Sequence, residues 1–506
     1  MKTKKFLIKP LLMLFAVAAI SCSEDMLDVN ENPNNPSTST PSLTLPVAQD
    51  DFVALNARSM TYLGQFMVYN WAVPSNWSAN GDLIRYNITS NFFTNIFETS
   101  YVSIFKNLTY VENFTDPSGA VSYDAYDVIA QTLKGFQYQY LVDLYGDVPY
   151  TEANLRGENP TPAYDDSELI YKSVIDSLTN AANNALNLPE NAEDPGNQDI
   201  IYGGDMTGWA QFANSVKLRM LVRMSNTGQD SYIQEQIASI MANGAGFITD
   251  NVVANPGYSD NAGQQNPFYG YVGVGPNGAA LDRQDFTVAT DYAIETLTDF
   301  NDPRLESLYS DAVNHGYIGA EQSTQLPGTG FTSDDLSHVG PGLLKSSDQD
   351  QPIMLLSEAL FLQAEATFRG YLPGGEAAAK ELYEQAIAAS FEFLGAQEEN
   401  VDGDLVDADP EEYYTQLIEN VSWDASPNKI EAIITQKWIA LNGTSSIESW
   451  VEWIRTGFPN TLPIPAESGG VRPVSLLYPV SEIARNSDNV PAQTPSDAFT
   501  NAPFWR

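Results

Sequence analysis

Cysteine, histidine and positive charge are all scarce in this chain, and each scarcity removes a class of function. A single cysteine, Cys22, excludes an internal disulfide, and with only His315 and His338 beside it a Cys/His zinc site is excluded too. Those two histidines are the only imidazole bases for a Ser-His-Asp arrangement, and neither adjoins a nucleophile-elbow motif. Both read as exposed loop residues. Lys and Arg total 24 against 65 Asp and Glu, a formal charge of −41. A field of that sign repels phosphate backbones and anionic headgroups, which argues against nucleic acid as a partner. Past the amino terminus no segment approaches 18 consecutive apolar residues, so no later helix is expected to cross a bilayer. At 43% hydrophobic and 11% aromatic, the chain has the material for a real core.

The amino terminus is the exception to this acidity. Lys2, Lys4, Lys5 and Lys9 precede an uncharged apolar stretch, Leu11 to Ile20, and the small Ser21. That order predicts a secretory signal over residues 1–21, too short to span a bilayer as a mature helix. Ala19-Ile20-Ser21-Cys22 resembles a bacterial lipobox, which makes Cys22 the expected lipidation site. Residues 22–44, rich in Asn, Pro, Ser and Thr, read as a flexible tether.

From about Leu45 the apolar spacing becomes helical. Phe97, Tyr101, Ile104, Leu108 and Val111 share one face, as do Ile129, Leu133, Phe136 and Tyr140. Asp165 to Ser167 can cap a helix with face Ile170, Val174, Leu178, Ala181, Ala185 and Leu188. Another helix starts at Asp205, and a shorter one carries Ile233, Ile237 and Met241. Gly, Asn, Asp and Pro then punctuate residues 243–352, with one helical piece at Val288 to Phe300. Helices resume at 353–368, 376–391, 428–441 and 446–454. Ala379, Tyr383 and Ala386 fit the small–aromatic–small spacing of a tetratricopeptide second helix. The expected fold is all-α: helix pairs over 45–242 and 353–456, with loop-rich parts at 243–352 and 457–506, in a single domain from residue 45.

Three segments resemble the SusD/RagB family of outer membrane lipoproteins. They are Tyr140 to Tyr150 with its Gly-Asp-Val-Pro-Tyr turn, the 353–390 hairpin, and Gln436 through Pro459 with Glu448-Ser449-Trp450-Val451-Glu452-Trp453. Arg472-Pro473, Tyr478-Pro479, Glu482 and the terminal Phe504-Trp505 follow with similar spacing, and Ser23-Glu24-Asp25 resembles the surface-export tag of Bacteroidetes lipoproteins. Glu452 and Ile454 depart from the commoner Asp and Arg. The resemblance implies a tetratricopeptide-like scaffold decorated by long loops, held by its lipid on the outer face of the outer membrane. It also implies capture of an oligosaccharide or a peptide, and a SusC-like TonB-dependent barrel transporter over which the protein sits as a lid. No catalytic motif or cofactor comes with it.

Ligand residues must therefore be sought from chemistry. A sugar offers an apolar face to aromatic rings and a rim of hydroxyls to polar side chains. One loop cluster with that mix holds Trp71, Trp77, Asn80, Asp82 and Arg85; the other holds Phe268, Tyr269, Tyr271 and Arg283. The competing reading has these aromatics pinning loops to the scaffold. Trp438, Trp450 and Trp453 are assigned to the core. Asp402, Asp404, Asp407 and Asp409 suggest calcium or, more simply, a solvated acidic loop. Two other functions stay open: a purely structural lid, and a surface glycoside hydrolase, which needs carboxylates about 5 Å or roughly 6.5–9.5 Å apart.

Overall fold

The computed structural model describes residues 39–155, 158–313, 315–322, 332–400 and 404–506. The expected signal, Cys22 and most of the expected tether lie outside them, as does Asp402. Helix begins earlier than residue 45, because Pro41 to Leu55 forms helix α1 and buries Pro41, Thr44 and Leu45. Proline suits this first turn, where its missing N–H has no intrahelical partner. A π-helical turn, Asn56–Met60, runs on into α2 (Thr61–Met67). The 97–111 face is also broken by a π segment, Ser100–Phe105, between Thr94–Thr99 and α3 (Lys106–Glu112).

Helix pairs make the scaffold. α4 (Asp124–Tyr145) and α5 (Ser167–Ala185) pack so closely that a Cβ on Gly135 would stand 2.8 Å from Leu178. The Gly-Asp-Val-Pro-Tyr turn builds their connection. Gly146 leaves α4 at φ 78, Asp147 accepts from Ser167 N (2.9 Å), and Val148 bridges to Asp165. Asp165 then accepts from the amides of Tyr150 (2.9 Å) and Thr151 (2.8 Å), and Asp166 caps α5 through Leu169 N. Asp205 likewise caps α6 (Met206–Arg223), which α7 (Asp230–Asn243) follows.

Two expected helices start late. Val288–Ala289 is strand β3, paired with β1 (Trp71–Ala72), and only after the Thr290 cap does α8 (Asp291–Asp299) begin. Gln351–Met354 is strand β4, paired with β2 (Val252–Ala254), ahead of α9 (Leu356–Phe368). The run Ile353-Met354-Leu355-Leu356 is uniformly apolar, a pattern that suits a buried strand as well as a helix. α10 (Gly375–Leu394) returns along α9 with Ala379, Tyr383 and Ala386 buried, as the spacing predicts. A hairpin of β5 (Gln397–Glu399) and β6 (Leu405–Asp407) leads to α11 (Lys429–Ala440), capped by Asn428, and α12 (Ser446–Thr456). The architecture is all-α and tetratricopeptide-like, with short two-stranded sheets stitching the loops. Residues 457–506 are not peripheral, since Leu476, Tyr478 and Trp505 enter the same core as Leu45 and Phe136.

A chain of buried ion pairs ties these helices together. Arg219 and Arg223 of α6 reach Glu358 of α9 (3.0 Å), Asp143 of α4 (3.0 Å) and Glu448 of α12 (2.6 Å). Lys437 of α11 bridges Glu448 (2.9 Å) and Glu452 (3.0 Å), and Arg455 joins Glu452 to Glu365 of α9 (2.6 Å). Asp143 also accepts from Tyr171 and from the indole of Trp505, which anchors the carboxyl end. Trp438 and Trp450 are core residues as expected. Trp453 is only half-buried and stacks under Arg472, 4.6 Å from the guanidinium carbon.

Candidate functional site

The two loop clusters, some 200 residues apart in sequence, meet on one surface. Pairing of β1 with β3 brings the 71–82 loop against the segment following Arg283. The chain around Pro267 is set by Asn266, whose side chain accepts from Phe268 N (3.0 Å) and Tyr269 N (2.9 Å) and donates to Gln349 O (3.0 Å). Short helices at Tyr269–Val272 and Asp282–Phe286 then face each other. Asn76 ties the first loop to Ser333 N at 3.0 Å.

Arg283 stands at the junction. Its guanidinium carbon lies 3.8 Å from the Tyr271 ring centre, 5.6 Å from Tyr62 and 5.8 Å from Phe286. Trp77 meets Phe286 edge-on at 5.6 Å, and Tyr271 meets Tyr62 at 5.8 Å. Asn80 donates to the Tyr62 hydroxyl at 2.7 Å. Trp77, Asn80, Tyr271, Arg283 and Phe286 are all half-buried, each keeping part of its side chain at the surface. Tyr62 beneath them is buried, and burial holds its hydroxyl proton to about pH 12 against the pull of Thr287, Asn80 and Arg283. The result is a shallow aromatic platform with polar groups along it, the complement of a pyranose face and its hydroxyl rim.

The remaining expected residues fall elsewhere. Trp71 is wholly buried in β1, and Phe268 stacks on it at 6.4 Å, also buried. Both are buried in this structure, Phe268 keeping only an edge on a neighbouring cavity, because strand pairing and the Asn266 turn fold both rings under the platform, where apolar area is best hidden. Tyr269 is half-buried at the edge. Asp82 is exposed and accepts from Asn87 at 2.8 Å, while Arg85 pairs with Glu467. Sequence reasoning missed Tyr62 and Phe286. Phe286 follows Arg283 by three residues, one turn of the short helix, and that spacing was the available signal.

His338 is not an exposed loop residue. It is half-buried, with Nδ1 2.9 Å from Gln284 O and Nε2 3.0 Å from Ser333 O, which braces the strand behind the platform. His315 is exposed. Asp409 caps the helix Pro410–Tyr414, and among the described residues no group of three or more His, Cys, Asp or Glu is disposed to hold a metal. Three cavities have none of Trp77, Tyr271, Arg283 or Phe286 in their walls. One of about 470 Å³ is walled by Glu306, Glu398 and Glu412, one of about 450 Å³ is lined in part by Phe268, and one of about 620 Å³ opens between Tyr101 and Pro162. A platform that stacks on a sugar face need not be concave, so cavity size does not choose among them. No described helix is long and apolar enough to cross a membrane.

The scaffold of helix pairs that carries this aromatic, polar-edged surface is of the tetratricopeptide-like class. Residues 33–479 match the SusD-like_2 family, described as "Starch-binding associating with outer membrane", and the chain belongs to that family. Among solved structures it is similar to a chitin-binding protein (TM-score 0.71, 23% identity, covering 92% of this chain and 99% of that one). A chitin-binding SusD homologue from Flavobacterium johnsoniae is similar too (TM-score 0.70, 20% identity, 91% and 98% covered). So is a SusD homologue from Bacteroides vulgatus (TM-score 0.71, 19% identity, 92% and 97% covered). At these identities the likeness is one of fold. No curated protein matches the chain.

Proposed function

We propose that this protein is a non-catalytic surface lipoprotein that captures an oligosaccharide on the Trp77–Phe286–Tyr271 platform and delivers it, as a lid, to a SusC-like TonB-dependent barrel transporter. The observation that carries the reading is the convergence of the two loop clusters on one partly exposed aromatic surface, in a chain of a starch-binding family. Trp77, Tyr271 and Phe286 supply apolar faces, Asn80 and Arg283 supply donors, and the buried pair Trp71 and Phe268 supports them from below. The chitin-binding proteins of the same fold favour a glycan over a peptide. Lipidation at Cys22 after removal of residues 1–21 would hold the protein at the outer membrane, and residues 22–40 would serve as its tether.

Calorimetric titration with a panel of neutral, amino-sugar and acidic oligosaccharides, together with product analysis of the same samples, tests the reading. Saturable heat for one class without new reducing ends is expected. Cleavage would make the protein an enzyme, and silence across the panel would leave it a structural lid.

A further inference from the structure

Arginine is rare in this chain, and nearly every buried one is spent on a carboxylate. Arg219, Arg223, Arg304 and Arg455 each pair with an acid. At the rim, Arg85 pairs with Glu467. Among the described residues Arg283 has no acid partner. There its one hydrogen bond runs from Nη1 to the backbone oxygen of Tyr271 at 3.2 Å. Nε is buried without a partner, and Nη2 forms no hydrogen bond to the described residues. The carboxylates beside it in sequence, Asp282 and Asp285, are exposed and form no ion pair with it. Arg472 also lacks an acid, but it is fully buried and donates to the Tyr86 hydroxyl and the Pro463 carbonyl. Arg283 differs in standing half-buried among three rings with donors left over, in a chain with 65 acidic side chains.

The side chain is also held ready. Stacking on Tyr271 and the Nη1 bond fix the plane of the guanidinium, so little freedom remains to be lost on binding. Phe286, 5.8 Å from the guanidinium carbon, carries the contact on to Trp77, so the donor group and the apolar rings adjoin. A guanidinium can donate to a neutral hydroxyl, but its bond to a carboxylate is charge-assisted and roughly twice as strong. We infer that Arg283 is a specificity residue of the platform, and that the captured oligosaccharide carries a carboxylate on the sugar unit above it, as a uronic acid does. This rests on the capture reading. The net charge of −41 does not oppose it at contact range, since exposed charges are screened over about 10 Å at ordinary ionic strength.

The test uses the full chain in detergent and matched pairs of oligosaccharides, each with its uronate carboxylates either free or methyl-esterified. For at least one pair the free acid should bind about 10- to 100-fold more tightly than the ester, the range for a hydrogen bond to a charged group. That preference should vanish in Arg283→Gln, weaken in Arg283→Lys and shrink at high salt. The ester comparison on the unaltered protein stands even if a variant fails to fold. Equal or tighter binding of the esters and neutral glycans would overturn the carboxylate inference while leaving capture intact. A preference that survives Arg283→Gln would overturn the assignment to Arg283. No binding by any member of the panel would overturn capture, and this inference with it.

Discussion

Arg455→Gln should destabilise the protein strongly at neutral pH and much less in acid. Arg455 and Glu365 are both essentially out of solvent, joined by two bonds of 2.6 and 2.7 Å, and Arg455 also holds Glu452. Glu365 keeps one other cation, Arg369 at 2.7 Å, so the loss is not total. Removing one member of such a pair costs about 3–5 kcal/mol, because the partner charge is left buried. Burial works against ionised Glu365, yet Arg455 and Arg369 outweigh it and hold the carboxyl down at about 2, below its ordinary 4.5. A depressed folded-state pKa stabilises above the unfolded value, and the benefit is lost as pH falls from about 4.5 toward 2. The shift corresponds to about 3 kcal/mol. Urea unfolding of the two proteins at pH 7 and pH 3 reads the difference directly. The gap between them should narrow by at least about 1 kcal/mol at pH 3. An equal gap at both pH values would refute the claim that Arg455 acts through the charge of Glu365.

Other substitutions probe the platform and the scaffold separately. Trp77→Ala and Tyr271→Ala should each weaken glycan binding at least tenfold with the melting temperature little changed, as for an anchor at the centre of an interface. Trp71→Ala, by contrast, should cost about 3–5 kcal/mol in denaturant unfolding, since it empties a fully buried site. Gly64→Ala should cost at least about 3 kcal/mol by the same assay, because its Cβ would lie 2.1 Å from Ile447 N and force α12 away from α2. Asp166→Ala removes the cap at Leu169 N and should cost about 1 kcal/mol.

The long helices were legible because each carries an unbroken apolar face and, at α5, α6 and α11, a side chain able to cap it. The strands were not. β3 and β4 are two to four residues long and run straight into α8 and α9, so their apolar residues extend the helical pattern, and only distant partners reveal them. The same blindness affected the site. Composition marked both loops, but nothing local in Trp71-Ala72 or Asn266-Pro267-Phe268 tells which ring turns inward. Pairing with residues 288–289 decides that for Trp71, and stacking on Trp71 decides it for Phe268. Tyr62 sits on a helix that looks like ordinary core, and its place under Arg283 depends on contact across 221 residues of sequence. The ion-pair chain was likewise hidden, since its members lie on α4, α6, α9, α11 and α12.

Diffraction from crystals soaked with the tightest-binding oligosaccharide tests the central claim most directly. The account predicts a sugar ring stacked over Trp77, Phe286 or Tyr271, with a donor from Asn80 or Arg283 in contact. A sugar ordered in the cavity between Tyr101 and Pro162, with the platform empty, would contradict it.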